Sequence, residues 1–567
     1  MTTLPNECYY LIFNNFQHNY KNLFSCALVN RQWCRVIIPI LWSEPKYHFN
    51  DTSLIRIFLL TLNVEEQAQL IPFKISLPSH PKPLFEYTSY ITSVTNDFYR
   101  WIGELLHSYE GYELDFELVN AVKSSLLSMF LRTGENLKNL YLDEITCNQL
   151  MLEILYKNTT VTSMDLRSSD GFNSAMIEEL SKFLKNKNSI LTSLNLINIQ
   201  LGSNEMKTLL EALYDNTEIN YLSFHDYHID TEGGKMFAKF LCKNTTLISL
   251  NLYGGNLSFY GKPLMEALMD ALCKNNTLKI LKLSFNAFGL EEELALADAI
   301  CKNTTLASLD LSENNFGYEG GKVLADALCK NTTLTSLDLS GNDLGFEGGE
   351  ALAVALCKNT TLTSLDLSEN DFEFGGKALV NAICKNTTLK SLKIRGMLRD
   401  LSFDNIGSEG GKALADMLCN NITLTSLDIS YNYIGPIGGK ALADALCKNI
   451  SLENLNLQCN NLGPKGGRAL ADSLCKNTSL TSLNLSWNNL GPKGGKALAN
   501  ALCKNTTLIS LDLSANELGF EGGKAFADAL CKNSTLTSLN LQSNKINFKI
   551  ESNNQNIEIL QNVTHQQ

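Results

Sequence analysis

The stretch "LCKNTTLTSLDLS", residues 328–340, returns unchanged 28 residues later at residues 356–368. Related copies follow one another from about residue 139 to residue 544, most of them at the same spacing. A sustained period of this size is typical of a solenoid, in which each repeat packs only on its neighbours. The sequence therefore predicts a repeat array over residues 139–544.

Each copy combines a short strand with a helix. Leu337 and Leu339 alternate with polar residues, as in a strand with one buried face, while Leu324, Ala327 and Leu328 share one face of a helix. Strand, helix and strand in succession require a parallel sheet. Because strands lie ~4.8 Å apart and packed helices ~8–10 Å apart, we expect a curved α/β solenoid with strands inside and helices outside. Strand cores are predicted at Leu140, Met164, Leu194, Leu250, Leu281, Leu309, Leu337, Leu365, Leu427, Leu455, Leu483, Leu511 and Leu539.

The unit LxxLxLxxN followed by a long helix resembles the leucine-rich repeat of the ribonuclease-inhibitor type. In that family the Asn side chain turns inward and bonds backbone groups of adjacent turns. The matching residues here are Asn286, Asn314, Asn342, Asn370, Asn432, Asn460, Asn488, Asn516 and Asn544.

Composition and charge exclude several classes of function. The 567 residues are 44% hydrophobic and carry a formal net charge of −12, which disfavours nucleic acid and anionic membranes as partners. The opening "MTTLPNECYY" lacks the basic and apolar regions of a signal peptide, and the apolar runs are too short to span a bilayer. We therefore expect a cytoplasmic or nuclear protein whose sixteen cysteines are reduced.

Several features resemble chemical sites without matching their spacing. One cysteine per repeat follows the helix, and we interpret it as a small buried thiol, because packed helices hold neighbouring copies too far apart for a disulfide. The Asn that follows Lys at each helix end is predicted to adopt a left-handed cap. The segment "FHDYHID", residues 224–230, places His225, Asp226 and His228 close together but offers no fourth metal ligand. The sequence predicts no catalytic residue, no metal site and no cofactor.

Polar positions between the strand leucines are expected to face the inside of the solenoid. Acidic and exposed aromatic residues there form candidate target-binding positions, and an acidic stripe favours a protein target with a basic surface. The alternative is a solvated sheet face kept polar for solubility. The candidates on this face are Asp310, Asp338, Asp366, Tyr431 and Trp487.

One copy is longer than the others. The segment "SLKIRGMLRDLSFDN", residues 391–405, carries about seven extra residues and brings Lys393, Arg395 and Arg399 into an acidic array. A long loop on a rigid scaffold often carries recognition, so Arg395 and Arg399 join the target-binding candidates. A neutral insertion is the alternative, since loops tolerate extra length at little cost.

The first 45 residues belong to no repeat. They contain Leu4-Pro5, Glu7, Ile12-Phe13, Leu28-Val29, Arg31, Trp33 and Leu41-Trp42. This order and spacing resemble the F-box, a small helical bundle that docks on the Skp-type adaptor of a Skp–cullin–F-box ubiquitin ligase. The resemblance implies adaptor binding by Leu4, Pro5, Ile12, Phe13, Val29, Trp33 and Trp42, as docking residues or as core of the bundle. The structural alternative is a helical cap for the solenoid.

The sequence thus predicts four regions: an α-helical F-box at residues 1–45, a helical linker or N-terminal cap at 46–138, the repeats at 139–544, and a loose polar tail at 545–567. The resemblance implies a non-enzymatic substrate receptor whose partners are a Skp-type adaptor, a cullin and an unknown protein target. One alternative is a plain binding or inhibitor scaffold, similar to ribonuclease inhibitor or the sensor ends of intracellular immune receptors. Another is a GTPase-activating protein that presents an arginine such as Arg395 or Arg399.

Overall fold

The computed structural model describes residues 4–16, 20–44, 57–73, 83, 85–110, 116–168, 174–186, 189–198, 200–255, 262–372, 375–396, 407–554 and 556–562. The chain divides into two compact units, residues 1–255 and residues 256–567. Within the described ranges, no helix is both long enough and apolar enough to cross a bilayer.

The first unit begins with three short helices, α1 (Asn6–Asn14), α2 (Tyr20–Ala27) and α3 (Arg31–Ser43). Asn30 caps α3, because its side chain accepts a hydrogen bond from the backbone N–H of Trp33 at 2.9 Å. The helices enclose a small apolar core of Phe13, Leu23, Ala27, Ile37 and Ile40. The first 45 residues therefore contain helices, as predicted, and their identity as an F-box stays a prediction.

A second helical layer follows, formed by α4 (Val64–Ala68), α5 (Asn96–Glu110) and α6 (Phe116–Thr133), with 3-10 turns at Ile71–Phe73 and Tyr87–Tyr90. Its core is aromatic: the Phe130 ring lies 5.1 Å from Phe58 and 5.2 Å from Phe98. This layer also holds a strand that the sequence analysis missed, β1 (Ser93–Val94), which pairs in parallel with the strand at residue 139. The sheet therefore starts before residue 139, and a two-residue strand is too short to show an alternating pattern.

The repeats of the first unit alternate strand and helix. Strands β1, β2, β3, β4, β6 and β8 pair in parallel in that order, and β5 pairs with β7 beside them. The strands are β2 (Asn139–Leu142), β3 (Ser163–Arg167), β4 (Ser193–Ile197), β5 (Gln200–Leu201), β6 (Tyr221–His225), β7 (His228–Ile229) and β8 (Ser249–Tyr253). The helices are α7 (Gln149–Tyr156), α8 (Ser174–Leu184), α9 (Ser203–Asp215) and α10 (Thr231–Lys243).

The second unit continues the same alternation, with strands β9 to β19 paired in parallel in chain order. The strands are β9 (Ile280–Lys282), β10 (Ser308–Asp310), β11 (Ser336–Asp338), β12 (Ser364–Asp366), β13 (Ser391–Lys393), β14 (Ser426–Asp428), β15 (Asn454–Asn456), β16 (Ser482–Asn484), β17 (Ser510–Asp512), β18 (Ser538–Asn540) and β19 (Glu558–Leu560). The helices are α11 (Lys262–Lys274), α12 (Leu290–Lys302), α13 (Gly317–Leu328), α14 (Gly345–Lys358), α15 (Gly375–Lys385), α16 (Gly407–Asn420), α17 (Gly435–Leu446), α18 (Gly463–Leu474), α19 (Gly491–Leu502) and α20 (Gly519–Leu530). Every predicted strand core lies in or beside a strand and is buried, so the α/β solenoid of parallel strands and helices is confirmed.

Two rows of buried asparagines join successive repeats. In the predicted row, Asn488 Nδ2 donates to the carbonyl of Leu457 at 2.8 Å, and its Oδ1 accepts from the backbone N–H of Asn460 at 3.0 Å. A second row follows the helices, where Asn359 Nδ2 donates to the carbonyl of Leu328 at 2.9 Å. The left-handed cap predicted for this row is wrong: Asn359 is extended, with φ −72° and ψ 129°. The extended conformation lets its side chain reach the preceding repeat, which a cap within its own turn would prevent.

Two further predictions are corrected. The tail is not loose throughout, because β19 pairs with β18 and Gln561 Nε2 donates to the carbonyl of Phe548 at 2.6 Å. Pairing covers a strand edge that would otherwise expose unpaired backbone groups. The cysteines that recur at the helix ends are not buried: Cys357, Cys419, Cys475, Cys503 and Cys531 are exposed and the others are half-buried. The residue after a buried Leu at the helix end turns away from the core, since the core-facing positions recur every three or four residues.

Candidate functional site

An acidic row crosses three neighbouring strands of the second unit. Asp310, Asp338 and Asp366 occupy the same register position on β10, β11 and β12. Oδ1 of Asp338 accepts hydrogen bonds from the backbone N–H of Ser340 at 2.9 Å and from its hydroxyl at 2.7 Å. Burial raises the pKa of Asp338, and the two neighbouring carboxylates raise it further. Three of the sequence-predicted residues therefore form one ordered negative stripe.

Cations border this stripe where the long copy begins. Lys393, on β13, places Nζ 3.0 Å from Oδ2 of Asp366, and this contact raises the pKa of Lys393. Arg395 follows two residues later, and its guanidinium carbon lies 4.6 Å from the centre of the Tyr431 ring. The predicted candidate Arg399 lies outside the described residues.

Aromatic residues continue along the next strands. Gln458 Nε2 donates to the hydroxyl of Tyr431 at 3.3 Å, which fixes the ring beneath Arg395. Trp487 follows β16, and its side chain is 61% exposed. The structure thus brings Arg395 and Tyr431 into contact and leaves Trp487 open to solvent as a separate anchor.

These variable positions share an uncommon backbone conformation that the sequence analysis did not foresee. Glu313, Tyr431 and Trp487 have φ of 57°, 60° and 58°, in the left-handed region. The available signal was Gly341, which stands at the same position of another copy with φ 65°. After β10, β14 and β16 the side chain at this position therefore begins from a fixed left-handed turn.

The N-terminal candidates divide into two groups. Phe13 is buried, and its ring meets Trp33 at 5.0 Å in an edge-to-face contact inside the three-helix core. Trp42 stacks on Tyr87 at 4.4 Å and packs edge-on against Phe58, which joins α3 to the second helical layer. Phe13, Trp33 and Trp42 therefore pack within the first unit, which is the core role among the two that the resemblance implies, and Trp33 and Trp42 are half-buried.

The remaining candidates lie on the surface of the same three helices. Leu4, Pro5 and Ile12 are exposed at and within α1, and Val29 is 60% exposed between α2 and α3. Leu11, which the sequence analysis did not select, is 67% exposed. Several large apolar side chains therefore lie exposed on one small helical unit.

Two protein-family models match the repeats of this chain. The TMOD/LMOD leucine-rich domain model matches residues 173–322. A leucine-rich repeat model matches residues 330–353, 358–376, 420–443, 448–471, 476–499, 504–527 and 532–547. No curated protein sequence matches the chain.

Solved structures show similar arrays at low identity. LegL7 from Legionella pneumophila, a leucine-rich repeat-containing protein, is 26% identical over 46% of this chain and 81% of its own, with a TM-score of 0.35. A chain of the Rad7 and Elc1 complex in yeast is 17% identical over 69% of this chain and 88% of its own, with a TM-score of 0.35. A chain of the TLR13–ssRNA13 complex is 18% identical over 74% of this chain and 58% of its own, with a TM-score of 0.44. The strand–helix repeats, the inward asparagines and the two family models together make this chain a leucine-rich-repeat protein.

Proposed function

We propose that this protein is the target-binding subunit of a Skp–cullin–F-box ubiquitin ligase. Residues 4–43 dock on the Skp-type adaptor, and the strand face of the repeats holds a target protein in the cytoplasm or nucleus. The subunit makes and breaks no bonds itself. It contributes proximity, by holding the target near the ubiquitin-charged enzyme that the cullin recruits.

The exposed apolar surface of α1 to α3 carries this proposal. Phe13 and Trp33 already fill the core, yet Leu11, Leu28 and Val29 remain 67%, 73% and 60% exposed. Covering such side chains stabilises a complex by ~1.5–3 kcal/mol each. The F-box-like sequence in the same residues supports a Skp-type adaptor as the partner.

The test is capture of recombinant Skp-type adaptor and cullin by the full chain. The informative variant is Leu11→Asp/Val29→Asp, because both side chains are exposed and the core stays intact. The matched control is Val64→Asp, whose side chain is 82% exposed on the second helical layer. We expect the wild type and the control to capture the adaptor, and the double variant to bind it at least about a hundredfold more weakly.

Equal capture by the double variant would place adaptor binding elsewhere. No capture by any of the three folded proteins would leave a binding scaffold without a ligase. Trp33→Ala is less informative here, because the ring packs on Tyr9 and Phe13, so its removal would disturb the core as well as the surface.

For the target we propose a protein with a basic surface, bound across the acidic row and the aromatic positions. Electrostatic complementarity makes such binding sensitive to salt. Capture from lysate should fall with Asp310→Asn/Asp338→Asn/Asp366→Asn and should also fall in high salt. The control Asp416→Asn/Asp444→Asn/Asp472→Asn removes the same charge from exposed helix positions. An equal loss in both triple variants would show that net charge, and not this surface, decides capture.

A further inference from the structure

A second polar row lies on the strand face of the first unit. Asp165, Asn195, Ser223 and Asn251 are direct register partners on β3, β4, β6 and β8. They alternate with buried residues such as Met164 and Leu194, so they point away from the helices. We call these four residues the polar ladder.

Three buried side-chain oxygens of the polar ladder receive no hydrogen bond from the described residues. Asn195 Oδ1, Ser223 Oγ and Asn251 Oδ1 have no hydrogen-bond partner among the described residues. Ser223 is fully buried and Asn251 is 7% exposed, so bulk water does not satisfy them freely. At a corresponding position of the second unit the acceptor has a donor: Oδ1 of Asn456 accepts a hydrogen bond from the backbone N–H of Gln458 at 3.0 Å. Buried acceptors left open in this way indicate a donor supplied from outside.

Two carboxylates act on this site: Asp165 belongs to the polar ladder, and Asp226 lies beside His225. Asp165 forms no ion pair among the described residues, and Asn195 donates a hydrogen bond to it. His225 lies nearby, and burial lowers its pKa against the opposing effect of the Asp226 and Asp165 carboxylates. Arg167 is exposed and donates to the hydroxyl of Tyr141.

An aromatic wall stands beside the polar ladder. Nε2 of His225 lies 3.2 Å from Nδ2 of Asn251, and the His225 ring lies 5.2 Å from the Tyr253 ring at an angle of 35°. Two tilted rings next to a carboxylate favour a flat cation, which stacks on aromatic faces. No group of three metal-ligating side chains occurs in the described part of the chain, so these donors do not point to a metal ion.

We propose that the polar ladder binds the guanidinium group of an arginine side chain on a protein partner. Guanidinium offers five N–H donors and no acceptor, which complements side-chain oxygens that lack donors. Asp165 balances the charge, Asn195 and Asn251 accept further hydrogen bonds, and Tyr253 and His225 flank the plane. The inference rests on the proposed target-binding role of the strand faces and is independent of adaptor docking.

The test uses the full chain and three short acetylated peptides that differ at one residue: arginine, lysine or citrulline. Citrulline keeps the shape of arginine and loses its charge. Binding is measured by isothermal titration, together with the NMR signal of the His225 imidazole, assigned with His225→Gln. We expect saturable binding of the arginine peptide, a shift of the His225 signal, and binding of the other two peptides that is at least about tenfold weaker.

Asp165→Asn should weaken arginine-peptide binding by about ten- to hundredfold, whereas the control Asp310→Asn on the second unit should leave it unchanged. Equal binding of the lysine peptide would overturn the guanidinium assignment. No binding, or binding that leaves the His225 signal of the wild type unmoved, would overturn the site itself. Because the second measurement uses the wild type, the test holds even if Asp165→Asn fails to fold. The peptides contain no adaptor, so failure here is distinguishable from failure of the ligase proposal.

Discussion

The inward asparagine row should carry much of the stability between repeats, and Asn488→Ala tests this. Asn488 is fully buried, and its side chain bonds the Leu457 carbonyl at 2.8 Å and the N–H groups of Asn460 and Leu462 at 3.0 and 3.2 Å. Alanine supplies none of these partners and leaves polar backbone groups buried. An unsatisfied buried group costs ~1–3 kcal/mol, so the loss of these bonds should cost about 3–5 kcal/mol locally.

Native-state hydrogen exchange is the suitable assay, because a long repeat array need not unfold in one step. Exchange of peptides covering residues 454–490, followed by mass spectrometry, gives the local free energy of opening. The matched control is Asn500→Ala, an exposed helical position where alanine is the better helix former. The control should change local stability by less than ~0.5 kcal/mol.

A loss below ~1 kcal/mol in Asn488→Ala would refute the reasoning, because the orphaned backbone groups would then have found other partners. An equal loss in Asn500→Ala would refute it as well. In that case removal of an amide anywhere in the repeat, and not the bridge between repeats, would account for the effect.

Three further predictions follow from other contacts. Gly438→Ala should destabilise the second unit by ~1–3 kcal/mol, because the added carbon would lie 2.5 Å from Ile434 Cγ2. The control Gly103→Ala has open space around the added carbon and should be neutral or stabilising. Urea unfolding of both variants measures the difference in stability. Burial raises the pKa of Glu293 from 4.5 to about 7, so the folded state holds a proton that the unfolded state has lost between these values. Stability should therefore fall as the pH rises from 4.5 to 7, and Glu293→Gln should abolish this fall and be the more stable protein in urea at pH 8. Burial also raises the pKa of the Cys147 thiol to about 12. At pH 8 a thiol reagent should therefore modify exposed Cys503 in the native protein and reach Cys147 only after denaturation. Peptide mapping of the modified protein checks this.

The repeat pattern predicted the array well because nearly all strand cores are leucines, and their regular recurrence is explained by burial. Leu337 and Leu365 recur at one spacing, and the structure places them in direct register on adjacent strands. The bridging role of Asn488 was also predictable, through the family resemblance and the position of the residue after the strand.

Features that depend on tertiary contacts could not be predicted from the local sequence pattern. Trp42 belongs to a motif that implies adaptor binding, but its partners Tyr87 and Phe58 lie more than ten residues away and no local pattern indicates them. The extended conformation of Asn359 depends on a carbonyl of the preceding repeat, at Leu328. The local sequence favoured a left-handed cap at Asn359, but the hydrogen bond to the Leu328 carbonyl of the preceding repeat stabilises the extended conformation instead.

The left-handed turn after each strand gives a physical argument for a binding role of the strand face. A residue with a side chain costs roughly 1–2 kcal/mol more than glycine in this conformation, and Gly341 shows that the repeat accommodates glycine there. If the position served stability alone, glycine would be favoured in every copy. The chain instead carries Glu313 beside the acidic row, Tyr431 under Arg395, and Trp487 in solvent. The N–H of Trp487 donates to the carbonyl of Ser514 at 3.0 Å, which holds this turn, and the exposed ring is where we propose that the target binds.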